Sequence, residues 1–553
     1  MKKLIRAGWT AAAILLVFGL ALTPASGVSR ASAAGAQPPG PDRFAVVLVD
    51  YTSYEWWLIG WSDNKIGCQI FVDHDGLPTD NEIYNTCDEI IYDAWVTTDP
   101  CPEAAEGGNL LDCHGYYLHL FKSSLAQKKV RVVLPPPVIW VTLSGCASSG
   151  LTNICNKLPT LILNGDEPLP NEKITGINVK VDGKEYQCGP VCEIDLGPTV
   201  EAGIQLSFWA ASSYGDTSEV FDARVRVAQI RNSDQGDETW YVDVLSSQWR
   251  GAPAASCAET WGLFPPIGGP PLWLSTPDRP EDLASTVPYE YLAGNLIIQG
   301  VVDASACPGD GLLPNGAATQ CGLEAARPAV TDWQNRFDKL IFNVAGETGV
   351  PAQLLKNLFS RESQFWPGVF TTKTDVGLGQ LTENGADTTL LWNPPFYEQF
   401  CPFVLDKTTC DTKLYSEPLE DDPYHPALDD KERDLLRGAL VRSVDATCAT
   451  CPLGLDLSRA DFSVSVFAQT LLASCGQSAR VVLETTGLLP SEVSTYEDMW
   501  RFTLVNYNAG PGCLNLALQD TMDMGEPLQW GYVITHLTPV CQGAGDYIAD
   551  ISR

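Results

Sequence analysis

Apolar residues in the first half of the chain fall in short β-branched and aromatic runs, at 44–49, 56–61, 69–72, 90–96 and 130–134. Turn residues such as Ser62-Asp63-Asn64 and Asp75-Gly76 separate them, which predicts a small, mostly β domain over 43–134. Three prolines at 135–137 make a stiff joint. A second series at 161–163, 177–181, 203–211 and 220–227, with an Asp182-Gly183 hairpin signal, predicts a β sandwich over 138–250. The stretch 251–325 is rich in Pro, Gly and Ala and reads as an extended linker. After it the period changes. Trp333, Phe337, Leu340, Ile341 and Val344, then Leu354, Leu355, Leu358 and Phe359, fall at helical spacing, with Pro351 suited to a first helical turn. A mostly α domain is expected over 326–553, so the chain reads as multidomain, two β modules followed by a helical one.

Composition narrows the possibilities. Among 553 residues, 45% are hydrophobic and 19% charged, which suits packed cores and excludes global disorder. With 68 acidic residues against 35 Lys and Arg, the net charge of −33 argues against nucleic acid as a partner. Lys2, Lys3 and Arg6 precede an apolar run at 11–22, and Ala31-Ser32-Ala33 offers a cleavage site, so 1–33 reads as a secretory signal peptide. The apolar run stops at Thr23-Pro24, short of the ~20 residues a membrane span needs. A cleaved signal leaves no stable membrane insertion; an uncleaved anchor is the alternative. The chain's 18 cysteines fit an exported, disulfide-stapled protein at the cell wall or cell surface. Cysteines 68, 87, 101 and 113, and then 146, 155, 188 and 192, make two even sets. The remaining ten split three and seven between the 251–325 stretch and the helical domain, so at least one bridge is expected to join these two.

Glu362 follows Leu358 and Phe359 on one helical stripe, just before Trp366-Pro367. A carboxyl held against apolar groups loses solvation and stays protonated near neutral pH, as a general acid requires. On pattern alone, a helix-end glutamate at the solvent rim explains it equally simply.

The wider context favours chemistry. Arg361-Glu362-Ser363-Gln364-Phe365, then Asp375-Val376-Gly377-Leu378-Gly379-Gln380-Leu381, then Asn506-Tyr507-Asn508-Ala509-Gly510-Pro511-Gly512, resemble in that order the catalytic domain of the soluble lytic murein transglycosylases, glycoside hydrolase family 23. The resemblance covers the last 220 or so residues and implies a lysozyme-like fold. It implies that Glu362 is the catalytic acid/base, followed by Ser363, which helps hold the site. Gly377, Leu378 and Gln380 match the turn that lines the sugar cleft, with Gly379 where the family usually has Met. Tyr507 and Asn508 match a pair beside the glutamate, with the Tyr hydroxyl near its carboxylate. The implied partner is the peptidoglycan glycan strand, and the implied activity cuts the β-1,4 bond after N-acetylmuramic acid, leaving a 1,6-anhydro end without a cofactor. The run 208–218 also resembles the late strand and turn of bacterial immunoglobulin-like modules.

Other residues stay open. Asp375 lies where the related goose-type lysozymes hold a second acidic residue, which would favour hydrolysis; capping the turn is the simpler role. The segment at about 382–460, with four cysteines and an acidic run at 417–430, departs from the family as an insertion, either a lid or wall of the cleft or a surface excursion. Cys401, Cys410, Cys448 and Cys451 fit disulfides better than a zinc site, and the loop from Asp73 to Glu82 lacks the full spacing of a calcium site, so no metal is expected. Trp56, Trp57 and Trp61 are expected in a core rather than in a sugar-stacking patch. Two rivals remain: a hydrolytic muramidase, and a non-catalytic peptidoglycan-binding surface protein.

Overall fold

The computed structural model describes residues 43–98, 113–149, 152–181, 183–231, 238–251, 257–368, 375–415 and 426–553. The expected signal peptide, Cys101, Asp182 and most of the acidic run at 417–430 lie outside them.

Strand β1 (Phe44–Gly60) unites two runs expected as separate strands, because nothing between them breaks the period of two. It pairs antiparallel along its whole length with β3 (Tyr116–Val133), while β2 (Ile66–Val72) joins only its far half. Among the described residues the near half is therefore a two-stranded ribbon, with large apolar side chains in solvent on it (Leu48 63% exposed, Leu125 86%). At the far end, helices α1 (Asp80–Thr86) and α2 (Glu89–Val96) cover one sheet face over a small core of Leu58, Ile70, Val72 and Ile83. The 90–96 run is thus helical, not a strand. Asp88 caps it by accepting from Ile91 N, and Ile91, Tyr92 and Trp95 turn towards that core. Trp56 packs there as expected. Trp57 and Trp61 lie on the opposite face, stacked on Phe121 and tilted against Tyr117 with centroids 3.7 and 4.2 Å apart, because strand alternation separates 56 from 57 and 61.

The second β module contains β4 (Val138–Ser149), β5 (Thr152–Asp166), β6 (Ile174–Val181), β7 (Lys184–Cys188), β8 (Val191–Asp195), β9 (Ile204–Ser212), β10 (Phe221–Arg231) and β11 (Glu238–Leu245). Strand β5 runs along β4 on one side. On the other it pairs first with β11, through Asn153 to Cys155, and then with β8, through Thr160 to Asn164. This change of partner lets the two ends of the sheet enclose one core, with Val141, Leu161 and Leu163 meeting Val179, Phe208 and Val225. Arg43, at the base of the ribbon, ion-pairs with Glu167 at 2.6 Å and with Asp216, fastening the ribbon to this module.

The helical region begins earlier than the sequence pattern implies. Stretch 251–325 is not an extended linker: α3 (Cys257–Trp261) and α4 (Glu290–Ile298) lie in it, and Trp261, Trp273, Leu274, Leu283 and Leu292 are buried in the same core as the helices that follow. The prolines and glycines turn the chain, while the large apolar residues between them supply the burial that holds it down. The helices that follow are α5 (Gln320–Asn335), α6 (Asp338–Thr348), α7 (Ala352–Ser363), α8 (Glu383–Trp392), α9 (Pro394–Phe400), α10 (Lys407–Thr412), α11 (Asp430–Val444), α12 (Leu457–Thr486), α13 (Pro490–Val493), α14 (Tyr496–Ala509), α15 (Pro511–Asp523), α16 (Trp530–Val533) and α17 (Gly543–Ile551). The α12 helix runs through the centre of this core, its buried face including Val464, Phe467, Leu471 and Val482.

Disulfides Cys68–Cys87, Cys146–Cys155 and Cys188–Cys192 staple the β modules. The expected cross-link to the helical domain is Cys257–Cys475. The pairs Cys401–Cys410 and Cys448–Cys451 are bridges, not zinc thiolates. The second β module docks on the helical region through Arg226, buried and paired with Asp243 at 2.6 Å, which also donates to Pro265 O and covers the Phe264 ring. Arg224 donates to Gly262 O at 2.9 Å.

Candidate active site

Glu362 lies in the last turn of α7, between Arg361 in solvent and the fully buried Ser363. The helix ends at Ser363 rather than at Trp366-Pro367, because Gln364 (φ 47°) and Phe365 (φ 62°) both take the left-handed conformation. Two such residues without glycine are costly, and such strain gathers at functional sites. Here it is held by Trp333, which donates to Phe365 O at 2.8 Å, and by Tyr291, whose backbone N–H donates to Gln364 Oε1 at 2.8 Å.

Although Glu362 keeps some exposed surface, protein atoms surround its carboxyl, and this desolvation pushes its pKa up to about 7. The Tyr547 hydroxyl, which donates to Oε1 at 2.5 Å, and the Arg361 charge work in the opposite direction, while the Asp375 charge adds to the rise. Asp375 is thus within electrostatic reach of Glu362. Tyr547 itself is buried on α17 and held well above the usual tyrosine range by burial and by Glu362.

The turn after Asp375 is drawn against α7 by two hydrogen bonds. Ser363 Oγ donates to Leu378 O at 2.6 Å, and Tyr507 Oη donates to Gly379 O at 2.7 Å. Within the turn Val376 and Leu381 pair, and Gln380 Nε2 donates to Gly377 O at 2.8 Å. Gln380 Oε1 is buried without a protein donor. Gly377 has φ 76°, where a side chain is strained. Gly379 is needed for space: a Cβ there would lie 2.5 Å from Phe467 Cδ1. The ring of Phe467 thus occupies the room a side chain at 379 would use.

The structure therefore brings together Glu362, Ser363, Asp375, Gly377, Leu378, Gln380 and Tyr507. It corrects one detail: the hydroxyl bonded to the Glu362 carboxylate belongs to Tyr547, and that of Tyr507 holds the turn instead. Asn508 is exposed one residue beyond Tyr507, and its carboxamide makes none of the hydrogen bonds that tie the site together. Its neighbour Asn506 is the anchored one, donating to Ser474 O and Gln477 Oε1. Tyr547 escapes sequence reading because it shares a helical stripe with Ala544, Ile548 and Ile551 and so looks like ordinary core.

The segment at about 382–460 backs this site. Leu390, Tyr397, Leu436, Leu440 and Val444 belong to the main helical core, Thr389 bonds Thr470 on α12 at 2.8 Å, and Val444 O is one of the atoms crowding Gly377. Elsewhere, the acids of the 73–82 loop are engaged with protein partners: Asp73 with Lys128, Asp75 with Tyr54 and Glu82 with His74. Among the described residues no group of three or more His, Cys, Asp or Glu is arranged to hold a metal ion, and no helix is long and apolar enough to cross a membrane. A carboxyl poised near neutrality, hydrogen-bonded by a phenol and facing a pinned turn, can give a proton to a leaving group and take one back. No family model matches the chain, and no curated protein or solved structure matches it either.

Proposed function

We propose that this protein is an exported lytic transglycosylase that cleaves the β-1,4 bond between N-acetylmuramic acid and N-acetylglucosamine in peptidoglycan, with Glu362 as acid and then base. The observation that carries this reading is the Glu362 carboxyl, its pKa raised to about 7, beside a turn tied down by Ser363 and Tyr507. Protonated Glu362 donates to the glycosidic oxygen, and the sugar's acetamido group stabilises the developing cation. The carboxylate so formed accepts the proton of the C6 hydroxyl, which closes the 1,6-anhydro ring. One carboxyl then serves both steps. Gln380 Oε1, lacking a protein donor, is suited to accept from a sugar hydroxyl. On this reading the helical region is a lysozyme-like domain, the second β module is immunoglobulin-like, and both β modules are spacers or wall-binding adapters. The disulfides favour an extracytoplasmic place of work.

The influence of Asp375 on Glu362 favours a second reading, a hydrolytic muramidase in which Asp375 orients water. Mass spectrometry of digested peptidoglycan, with Glu362→Gln alongside, separates the two. Anhydro-muropeptides from the parent alone are expected; reducing ends would move the reaction to hydrolysis. No product from a folded parent would leave peptidoglycan binding as the function.

A further inference from the structure

A cavity of about 300 Å³ opens beside the last two turns of α7, lined by Asn357, Ser360, Arg361 and Gln364 on that helix and by Asp550 and Arg553 after it. The spacing 357, 360, 361, 364 is one helical face. The floor is built: Tyr289, buried, donates to Ser360 Oγ at 2.7 Å, and Asn357 Nδ2 donates to Ile551 O at 2.7 Å. Asp550 lies between the two arginines, 3.2 Å from Arg361 Nε and 2.7 Å from Arg553 Nη2. Two guanidinium groups against one carboxylate leave an excess positive charge, in a chain whose net charge is −33. Arg361 also lies over the Tyr547 ring, 5.7 Å from its centroid, and so joins this cavity to the hydroxyl that bonds Glu362.

We propose that this cavity is an anion subsite that receives a carboxylate of the glycan substrate, gripped by Arg361 and Arg553, with Asp550 holding the two arginines in place beforehand. The inference rests on the glycan-cleaving reading above. A site of this size takes a small group, and its polar, cationic wall suits a carboxylate rather than the apolar body of a typical small ligand. Planar guanidinium groups match a carboxylate by paired hydrogen bonds, and the partly enclosed setting strengthens them. Muramic acid offers such a group in two places. A strand without peptides has a free lactyl carboxylate on each muramic residue, and a strand with peptides has carboxylates further out.

The test uses the full chain carrying Glu362→Gln, so that ligands stay intact, and measures affinity by calorimetry for three tetrasaccharides. These are a peptide-free muramic acid and glucosamine repeat, the same repeat with stem peptides, and neutral chitotetraose. The carboxylate-bearing ligands are expected to bind about tenfold more tightly than the neutral one, and the tighter of the two identifies which carboxylate is used. Adding Arg553→Gln should abolish the preference, whereas Asp550→Asn, which frees both arginines, should widen it. Opposite effects at neighbouring positions are not what general misfolding produces. Equal binding of all three ligands, or a preference that survives Arg553→Gln, would overturn the subsite and leave the glycan reading standing. Failure of all three to bind would sink the glycan reading and the subsite with it.

Discussion

Tyr547 and Glu362 are 185 residues apart in sequence, and the phenol of the first donates a 2.5 Å hydrogen bond to the carboxylate of the second. The bond favours the ionised form against a burial that favours the neutral one, so the pair sets how readily Glu362 changes between acid and base.

Tyr547→Phe removes the donor and leaves the ring's packing in place. The pKa of Glu362 should climb further, moving the alkaline limb of the pH–rate profile up by about one pH unit, since one charge-assisted hydrogen bond is lost. The weakened base step should lower kcat by at least about tenfold. A profile that does not move would separate Tyr547 from catalysis.

Raised from 4.5 to about 7 in the folded protein, Glu362 also links stability to pH. Between those values the folded state holds more protons than the unfolded chain, so stability falls as pH rises through this window and then levels off. Glu362→Gln removes the cost of burying the charge. The variant should match the parent at pH 4 and exceed it at pH 8 by up to about 3 kcal/mol, read from denaturant unfolding at the two pH values.

Activity should follow the same group from the other side. Because the first step needs protonated Glu362, the rate on peptidoglycan should fall as pH rises above about 7, whatever limits it at lower pH. A rate that stays level to pH 9 would remove Glu362 as the acid.

Gly379→Ala would push a methyl group into the Phe467 ring. Overpacking of this kind costs about 1–3 kcal/mol and should also lower activity, because the carbonyl that Tyr507 holds belongs to the same residue. Adding Phe467→Leu should recover part of the lost activity by making room. Thermal melts and rates on the two variants check this.

The Cys257–Cys475 bridge closes a loop of 218 residues and pins the start of the helical region, where Trp261 donates to Cys475 O at 3.2 Å. Replacing both cysteines by Ser should cost about 2–5 kcal/mol and raise amide exchange over 257–298 first. Uniform loss of protection across the helical core would instead mean that the bridge supports the whole unit.

The sequence by itself determined what depends on nearest neighbours along the chain. The switch from a period of two to a period of 3.6 separated β modules from helices, and the turn signals bounded many of the strands, because both follow from local backbone geometry. Cysteine numbers were enough to predict a bridge across to the helical domain. The short motifs around Glu362, Gly377 and Tyr507 marked residues that the fold does bring together. What local pattern could not decide was long-range pairing. The 90–96 run has the composition of a strand, but Asp88 caps it and a core waits on one side, so it is a helix. The 251–325 stretch has the composition of a linker, yet Trp261, Trp273 and Leu292 find a core supplied by helices far along the chain. Likewise Tyr547 looks like one more apolar position on an amphipathic helix, and only the packing of α17 against α7 turns its hydroxyl to Glu362. A pKa near 7 depends on the atoms that surround a carboxyl, and those arrive from segments that only tertiary structure brings into contact.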